Sequence, residues 1–165
     1  MSPISVAVIG VLGVLKALVN NTSVSGGGAA GLCAARHLGA ASPRIQISIF
    51  EQSNRIGGTW VYTDHVGQDH NGLPLHSSMY RNLKTNLPKE VMAFPDFPFQ
   101  AREESFIHHS EVLEYLQQYC QHHQLEQYVR FNTLVARVDP VDSSEARKWE
   151  VTSQCLKTKV GESSL

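Results

Sequence analysis

The sequence predicts an α/β fold, and three observations carry that expectation. The chain opens on a short apolar run, Ser5–Ile9, that suits a buried strand of a parallel sheet. A glycine run, Gly26-Gly27-Gly28-Ala29-Ala30-Gly31, spells G-x-G-x-x-G ahead of a helix-like segment, Leu32–Leu38. A second apolar run, Ile45–Phe50, ends on an acid, Glu51, which lies 20 positions after Gly31. Together they describe a Rossmann-like βαβ unit. Its glycines let backbone approach a pyrophosphate at a helix N-terminus, and its acid accepts ribose hydroxyls. Glycine clusters also mark plain turns, but helix, strand and acid at this spacing favour the dinucleotide reading. The acid argues for a free 2′-hydroxyl, as in FAD or NAD, because it would repel a 2′-phosphate.

With 165 residues, a net charge of −1 and 42% hydrophobic residues, the chain can form one globular domain. Nothing is basic enough to suggest nucleic acid. Cys33, Cys120 and Cys155 are widely spaced and form no C-x-x-C, which suits a reduced, intracellular protein. Eight histidines include the pairs His108-His109 and His122-His123, but no carboxylate or Cys at ligand spacing completes a metal site. Surface and capping roles are expected for them.

Gly10 follows the first apolar run, and Val11–Gly26 then stands between that run and the rest of the glycine loop. Deleting these sixteen residues leaves VAVIGGGAAGLCAARHL, an unbroken strand–loop–helix join. A long excursion is one reading, since loop-closure entropy grows slowly with length. A secretory signal is another, but no Lys or Arg precedes the apolar stretch and cleavage would discard the first strand. The stretch is too short and interrupted to span a bilayer. We favour a third reading, an unspliced intron, because deletion restores the join and a Val codon begins with the splice-donor dinucleotide. The Asn20-Asn21-Thr22 and Asn21-Thr22-Ser23 triplets would be glycosylated only in a secreted chain.

The remaining elements follow in order. Ala29–Leu38 supplies small residues for a helix packed close to a sheet, with Gly39 and Pro43 expected to end it. Ile45, Ile47, Ile49 and Phe50 make the second strand, and Tyr62–His76 reads as a polar surface loop. Met79–Phe99 is turn-rich, its prolines excluding regular structure and its aromatics anchoring it to a core. Ser110 is the expected N-cap of an amphipathic helix reaching about His123, with Glu111 in its first turn and Val112, Leu113, Leu116, Tyr119 and Cys120 on its apolar face. Tyr128–Phe131, Leu134–Val138 and Trp149–Val151 look like strands, the last two a hairpin across Pro140–Lys148.

Two stretches resemble the flavin-containing monooxygenases, with Baeyer–Villiger enzymes as near cousins. Glu51 to Trp60 reads E-x-x-x-R-x-G-G-x-W, and Tyr80 to Lys89 reads Y-x-N-L-x-T-N-x-P-K, followed by F-P-D-F-P from Phe94 to Pro98. A flavoprotein amine oxidase would share the glycine loop and acid but not these two motifs. The resemblance implies a Rossmann-like FAD-binding unit with a parallel sheet, incomplete at the C-terminus. It spans 1–159, interrupted at 11–26, with an aberrant tail at 160–165. The implied cofactors are FAD and NADPH, although the glycine loop for NADPH is absent from this chain.

By the same resemblance Gly26, Gly27, Gly28, Ala29, Ala30, Gly31 and Glu51 hold the FAD diphosphate and ribose, and Arg55, Gly58, Thr59 and Trp60 frame it. Thr85 and Asn86 lie beside the flavin, with Asn86 in the catalytic role, and backbone near Val135 meets the adenine. From residue type alone, Arg55 is a solvated cation, Trp60 a core aromatic, and Asn86 closes a turn before Pro88. The implied reaction oxygenates a soft nucleophile, a tertiary amine or a sulfide, with O2 through a C4a-hydroperoxyflavin. An amide at Asn86 can hydrogen-bond such an adduct without acting as an acid. The implied location is cytoplasmic, or the cytosolic face of the endoplasmic reticulum for a full-length form. Membrane association is not encoded in these residues. The competing expectation is an inactive splice product, at most a partial FAD-binding module. Its motive is the insert together with a second turn-aside at Val160, and contiguous coding exons across both places would remove it.

Overall fold

The computed structural model describes residues 6–9, 17–19, 22–41, 45–75, 77–141 and 148–156. Its main sheet has five strands in the order β2-β1-β3-β4-β5. These are β1 (Val6–Ile9), β2 (Ala17–Val19), β3 (Thr22–Ser25), β4 (Ile47–Phe50) and β5 (Val129–Arg130). All neighbours pair in parallel except β1 and β2, which pair antiparallel.

One expectation is corrected here. The strand that feeds the glycine loop is not the first apolar run but β3, inside the supposed insert. Val24 and Ser25 pair with Val8 and Ile9 on one side and with Ile49 and Phe50 on the other, so β3 is the central strand. Its β-branched Thr22 and Val24 suit a pleated, flanked position. The run at β1 is a strand as expected, laid beside β3 instead of leading into the loop. Positions 11–16, 20 and 21 of the insert and the tail at 160–165 lie outside the described residues.

From the loop the chain enters α1 (Ala29–Ala41), which runs through Gly39 instead of stopping there. A Cβ at Gly39 would come 3.1 Å from Ile47 Cδ1, so this glycine lets the helix lie close to β4. Pro43 lies outside the described residues. The long central segment is irregular, with one short helix, α2 (Lys89–Met92), starting after Pro88. That helix is regular structure where prolines were expected to forbid it. Pro88 tolerates it because a proline at a helix start gives up no needed N–H.

Helix α3 (His109–His122) begins one residue before the expected cap. His108, not Ser110, is the N-cap: its side chain accepts from Ser110 N, and Glu111 Oε2 accepts from His108 N at 3.0 Å. The pair forms a reciprocal capping box with histidine in the usual Ser/Thr place. After α3 a 3-10 turn, Leu125–Tyr128, takes the first residue of the strand expected at Tyr128–Phe131, and Val129 and Arg130 form β5. The hairpin is present and longer than expected, β6 (Thr133–Val141) against β7 (Lys148–Cys155), with an irregularity between Val135 and Arg137.

One core joins these elements. Leu32 and Ala35 of α1, Ile47 and Ile49 of β4, and Tyr115, Leu116, Tyr119 and Cys120 of α3 are all buried together. Phe94, Phe97 and Phe99 anchor the turn-rich segment as expected, Phe99 stacking on Tyr115 with ring centroids 3.8 Å apart. The Tyr115 hydroxyl donates to Phe97 O and accepts from Phe94 N, so the ring fixes both ends of that turn. The three cysteines are free, and burial pushes the Cys120 thiol up to about 11, which leaves it a packing residue.

Candidate nucleotide-binding site

The site forms where the carboxyl ends of β3 and β4 meet the start of α1. Gly26 N donates to Phe50 O at 2.7 Å, which ties the loop across the strand ends. Leu32 N donates to Gly28 O at 3.0 Å, the first bond of the helix ladder. The N–H groups ahead of Leu32 therefore point out of the helix end, where the dipole favours an anion. No acidic residue occupies the first turn of α1 to compete for that place. This donor set fits a diphosphate.

Glu51 is buried and sits beside the loop, as expected for the acid of the motif. Its Oε2 accepts from Gly27 N at 2.6 Å and its Oε1 from Ser53 N at 2.8 Å. Each oxygen keeps a further lone pair, so the carboxylate can hold the loop and still accept ribose hydroxyls. A Cβ on Gly27 would meet Ile56 Cδ1 at 2.9 Å and Glu51 Oε2 at 3.2 Å, so a side chain there would press on the acid.

The second glycine pair has a packing reason that its sequence did not disclose. Gly58 lies against Gly28, backbone on backbone: a Cβ at Gly58 would stand 2.9 Å from Gly28 Cα. Gly57 N donates to Gly27 O at 3.0 Å, fastening the same two loops. Gly57 has φ +137°, and a Cβ there would run into Leu113 Cδ1 of α3 and Val61 Cγ2. The R-x-G-G motif therefore closes onto the G-x-G-x-x-G loop and against α3. Trp60 is half-buried against the core, while Arg55 and Thr59 are exposed.

Thr85 is tied to the residues that lead into α3. Thr85 N donates to Ile107 O at 2.9 Å, and Ile107 N donates to Thr85 Oγ1 at 3.2 Å. His109 N donates to Leu83 O, and the His109 ring lies 5.3 Å from that of Tyr62. The segment after Trp60 and the segment before Asn86 thus share the N-terminal turn of α3 as a mount. Lys89, almost fully buried, closes the far side: its Nζ donates to Arg102 O at 3.0 Å and to Glu104 O. Between these anchors Asn86 is exposed.

Val135 lies in β6 opposite Ser153. Two residues nearby bond the backbone of the acid: the Arg130 carbonyl accepts from Glu51 N at 3.0 Å, and Thr133 N, at the start of β6, donates to Glu51 O at 2.9 Å. Arg130 and Lys89 were not singled out as site residues from the sequence. The available signal was that Arg130 ends an expected strand beside the acid's own. Among the described residues no group of three or more His, Cys, Asp and Glu could hold a metal ion, and no helix is long and apolar enough to cross a membrane.

A family profile described as flavin-binding monooxygenase-like matches residues 19–161. The match thus includes β3 and the glycine loop. Among curated relatives, flavin-containing monooxygenase FMO GS-OX-like 4 of Arabidopsis thaliana is 38% identical over 154 residues, 86% of this chain. The alignment covers only 34% of that relative, so this chain spans about a third of its length. A shorter Arabidopsis thaliana protein, putative flavin-containing monooxygenase FMO GS-OX-like 11, is 38% identical over 147 residues, 81% of this chain and 86% of the relative. Of solved structures, S-allyl-L-cysteine S-oxygenase from Allium sativum aligns with a TM-score of 0.63 at 34% identity, covering 78% of this chain and 34% of that one. Tmm from Pelagibacter sp. strain HTCC7211 aligns at 0.71 and 27% identity, over 80% of this chain and 31% of that one.

Proposed function

This chain belongs to the flavin-containing monooxygenase family, and we propose that it forms the part that grips FAD by its diphosphate and adenosine ribose. The observation that supports this most is the fit of the two loops. Gly28 and Gly58 meet backbone to backbone beside an outward-facing helix end, and Glu51 is locked to Gly27 at its rim. The helix end would hold the diphosphate and Glu51 the ribose. Gly58, Thr59 and Trp60 would flank the cofactor, with Arg55 at the rim. Thr85 would hold Asn86, whose amide would face the flavin as donor and acceptor without supplying a proton as an acid.

When bound, with NADPH as reductant and O2 as co-substrate, such a cofactor supplies oxygen transfer to a soft nitrogen or sulfur nucleophile. For this chain we propose an amine or sulfide as the substrate class. The test is visible absorbance of the purified chain after incubation with FAD and removal of the excess. Stoichiometric flavin is expected, and a colourless protein would overturn the proposal.

A second reading is a flavin-holding module without turnover of its own. This chain spans about a third of the length of one relative and 86% of a short one. Under it, bound flavin is accompanied by no NADPH oxidation above background and no N-oxide from a tertiary amine. Turnover of either kind removes this second reading.

A further inference from the structure

Resting on the FAD reading, the geometry points to Arg130 as the residue that receives the adenine, stacking its guanidinium plane on the ring and so favouring the adenylate over a bare flavin phosphate. The argument starts from the sheet. Ligands of open parallel sheets lie outside the carboxyl ends of the strands. At that edge Ser25 pairs with Phe50, and Phe50 with Arg130, so glycine loop, acid and Arg130 stand in consecutive strand ends. Hydrogen bonds tie them in that order: Gly27 N to Glu51 Oε2 at 2.6 Å, then Glu51 N to Arg130 O at 3.0 Å. The next residues continue the lacing, with Asn132 N donating to Ser53 O and Thr133 N to Glu51 O, both at 2.9 Å. A nucleotide whose diphosphate sits at the helix end and whose ribose meets Glu51 therefore arrives next at Arg130.

The side chain is already poised there. Its guanidinium carbon lies 5.3 Å from the centroid of the Phe50 ring, and Phe50 is itself buried. One face of the plane is thus supported by an aromatic, and the residue is exposed. Among the described residues it makes no ion pair that a ligand would have to break. Planar, weakly hydrated guanidinium groups stack readily on π-faces, and a lysine has no such plane.

The experiment compares ADP, FAD and FMN binding by calorimetry to the wild-type chain and to its Arg130→Ala and Arg130→Lys variants. Arg130 pairs in the sheet through its backbone, and its side chain, though over the Phe50 ring, is exposed, so folding is checked by circular dichroism and expected unchanged. The inference expects Arg130→Ala to weaken ADP and FAD about three- to tenfold, the range of a partly desolvated cation–π contact. FMN, which has no adenine, should bind all three proteins alike. Arg130→Lys should recover less than half of the loss. Equal ADP affinity in wild type and Arg130→Ala overturns the inference while leaving the FAD reading standing, as does full recovery with lysine, which would make charge alone the cause. Wild-type protein that binds neither ADP nor FAD overturns both together.

Discussion

Gly58 shows how a single residue can matter through the atoms it lacks. At φ +55° it adopts a backbone conformation that side chains disfavour, and the atom a Cβ would strike is the Gly28 backbone, which cannot swing aside. Gly58→Ala should therefore cost about 2 kcal/mol, strain and overpacking combined, read as a shift of the urea midpoint at unchanged slope. It should also part the two loops, so bound flavin is expected to fall further than stability does. An unchanged midpoint would mean that the Gly28–Gly58 contact relaxes freely. The acid Glu51 was legible from its spacing alone. The need for glycine at 57 and 58 was legible only as a motif, since Leu113, which a side chain at Gly57 would strike, and Gly28, which one at Gly58 would strike, lie elsewhere in the sequence.

At the scale of elements, α3 is the mount for both halves of the candidate site, and its start decides how well it serves. The apolar spacing from Val112 to Cys120 made this helix legible, and its observed end at His122 lies within one residue of the expected one. The cap was not legible, because histidine rarely takes the place and Ser110 has the commoner side chain for it. His108 can cap because its Nδ1 faces Ser110 while its Nε2 lies 2.9 Å from Arg81 O. The ring is held from both sides, acting as acceptor at one nitrogen and donor at the other. His108→Ala should lose about 1 kcal/mol in thermal or urea unfolding, and His108→Asn should recover most of it, since asparagine is among the best N-caps. A wild-type midpoint in the alanine variant would show that Glu111 alone secures the helix start.

For the whole molecule, the junction of α1, α3 and the Phe94–Phe97 turn couples stability to pH. His123 lies among Arg36, Asp96, Tyr119, His122 and His37, with its Nε2 3.9 Å from Asp96 Oδ2. Burial lowers its pKa below the ordinary 6.5, and the Arg36 and His122 charges add to this against the opposing pull of Asp96. The folded state thus binds this proton less readily than the unfolded chain does. The resulting stability is present in full above about pH 6.5, the unfolded value. It is lost as the pH falls from there toward the lower folded value. Urea midpoints measured from pH 7.5 down to 5 should fall for the wild type and fall less for His123→Gln. Identical slopes would assign the acid sensitivity to other groups.

The sequence by itself determined the βαβ character of the chain, the loop and acid of its candidate nucleotide edge, the amphipathic helix and the aromatics that pin the turn-rich segment. Each depends on residues close together in the chain, where periodicity and spacing translate directly into local geometry. Only the tertiary structure decided which strand leads into the loop. Ser5–Ile9 and Thr22–Ser25 are both compatible with a strand, and the choice rests on pairing with Ile47–Phe50, whose hydrogen bonds are non-local. It also decided that the two glycine motifs touch and that Arg130 stands beside Glu51. These are distances between residues far apart in sequence. Packing sets them, and no local pattern encodes it.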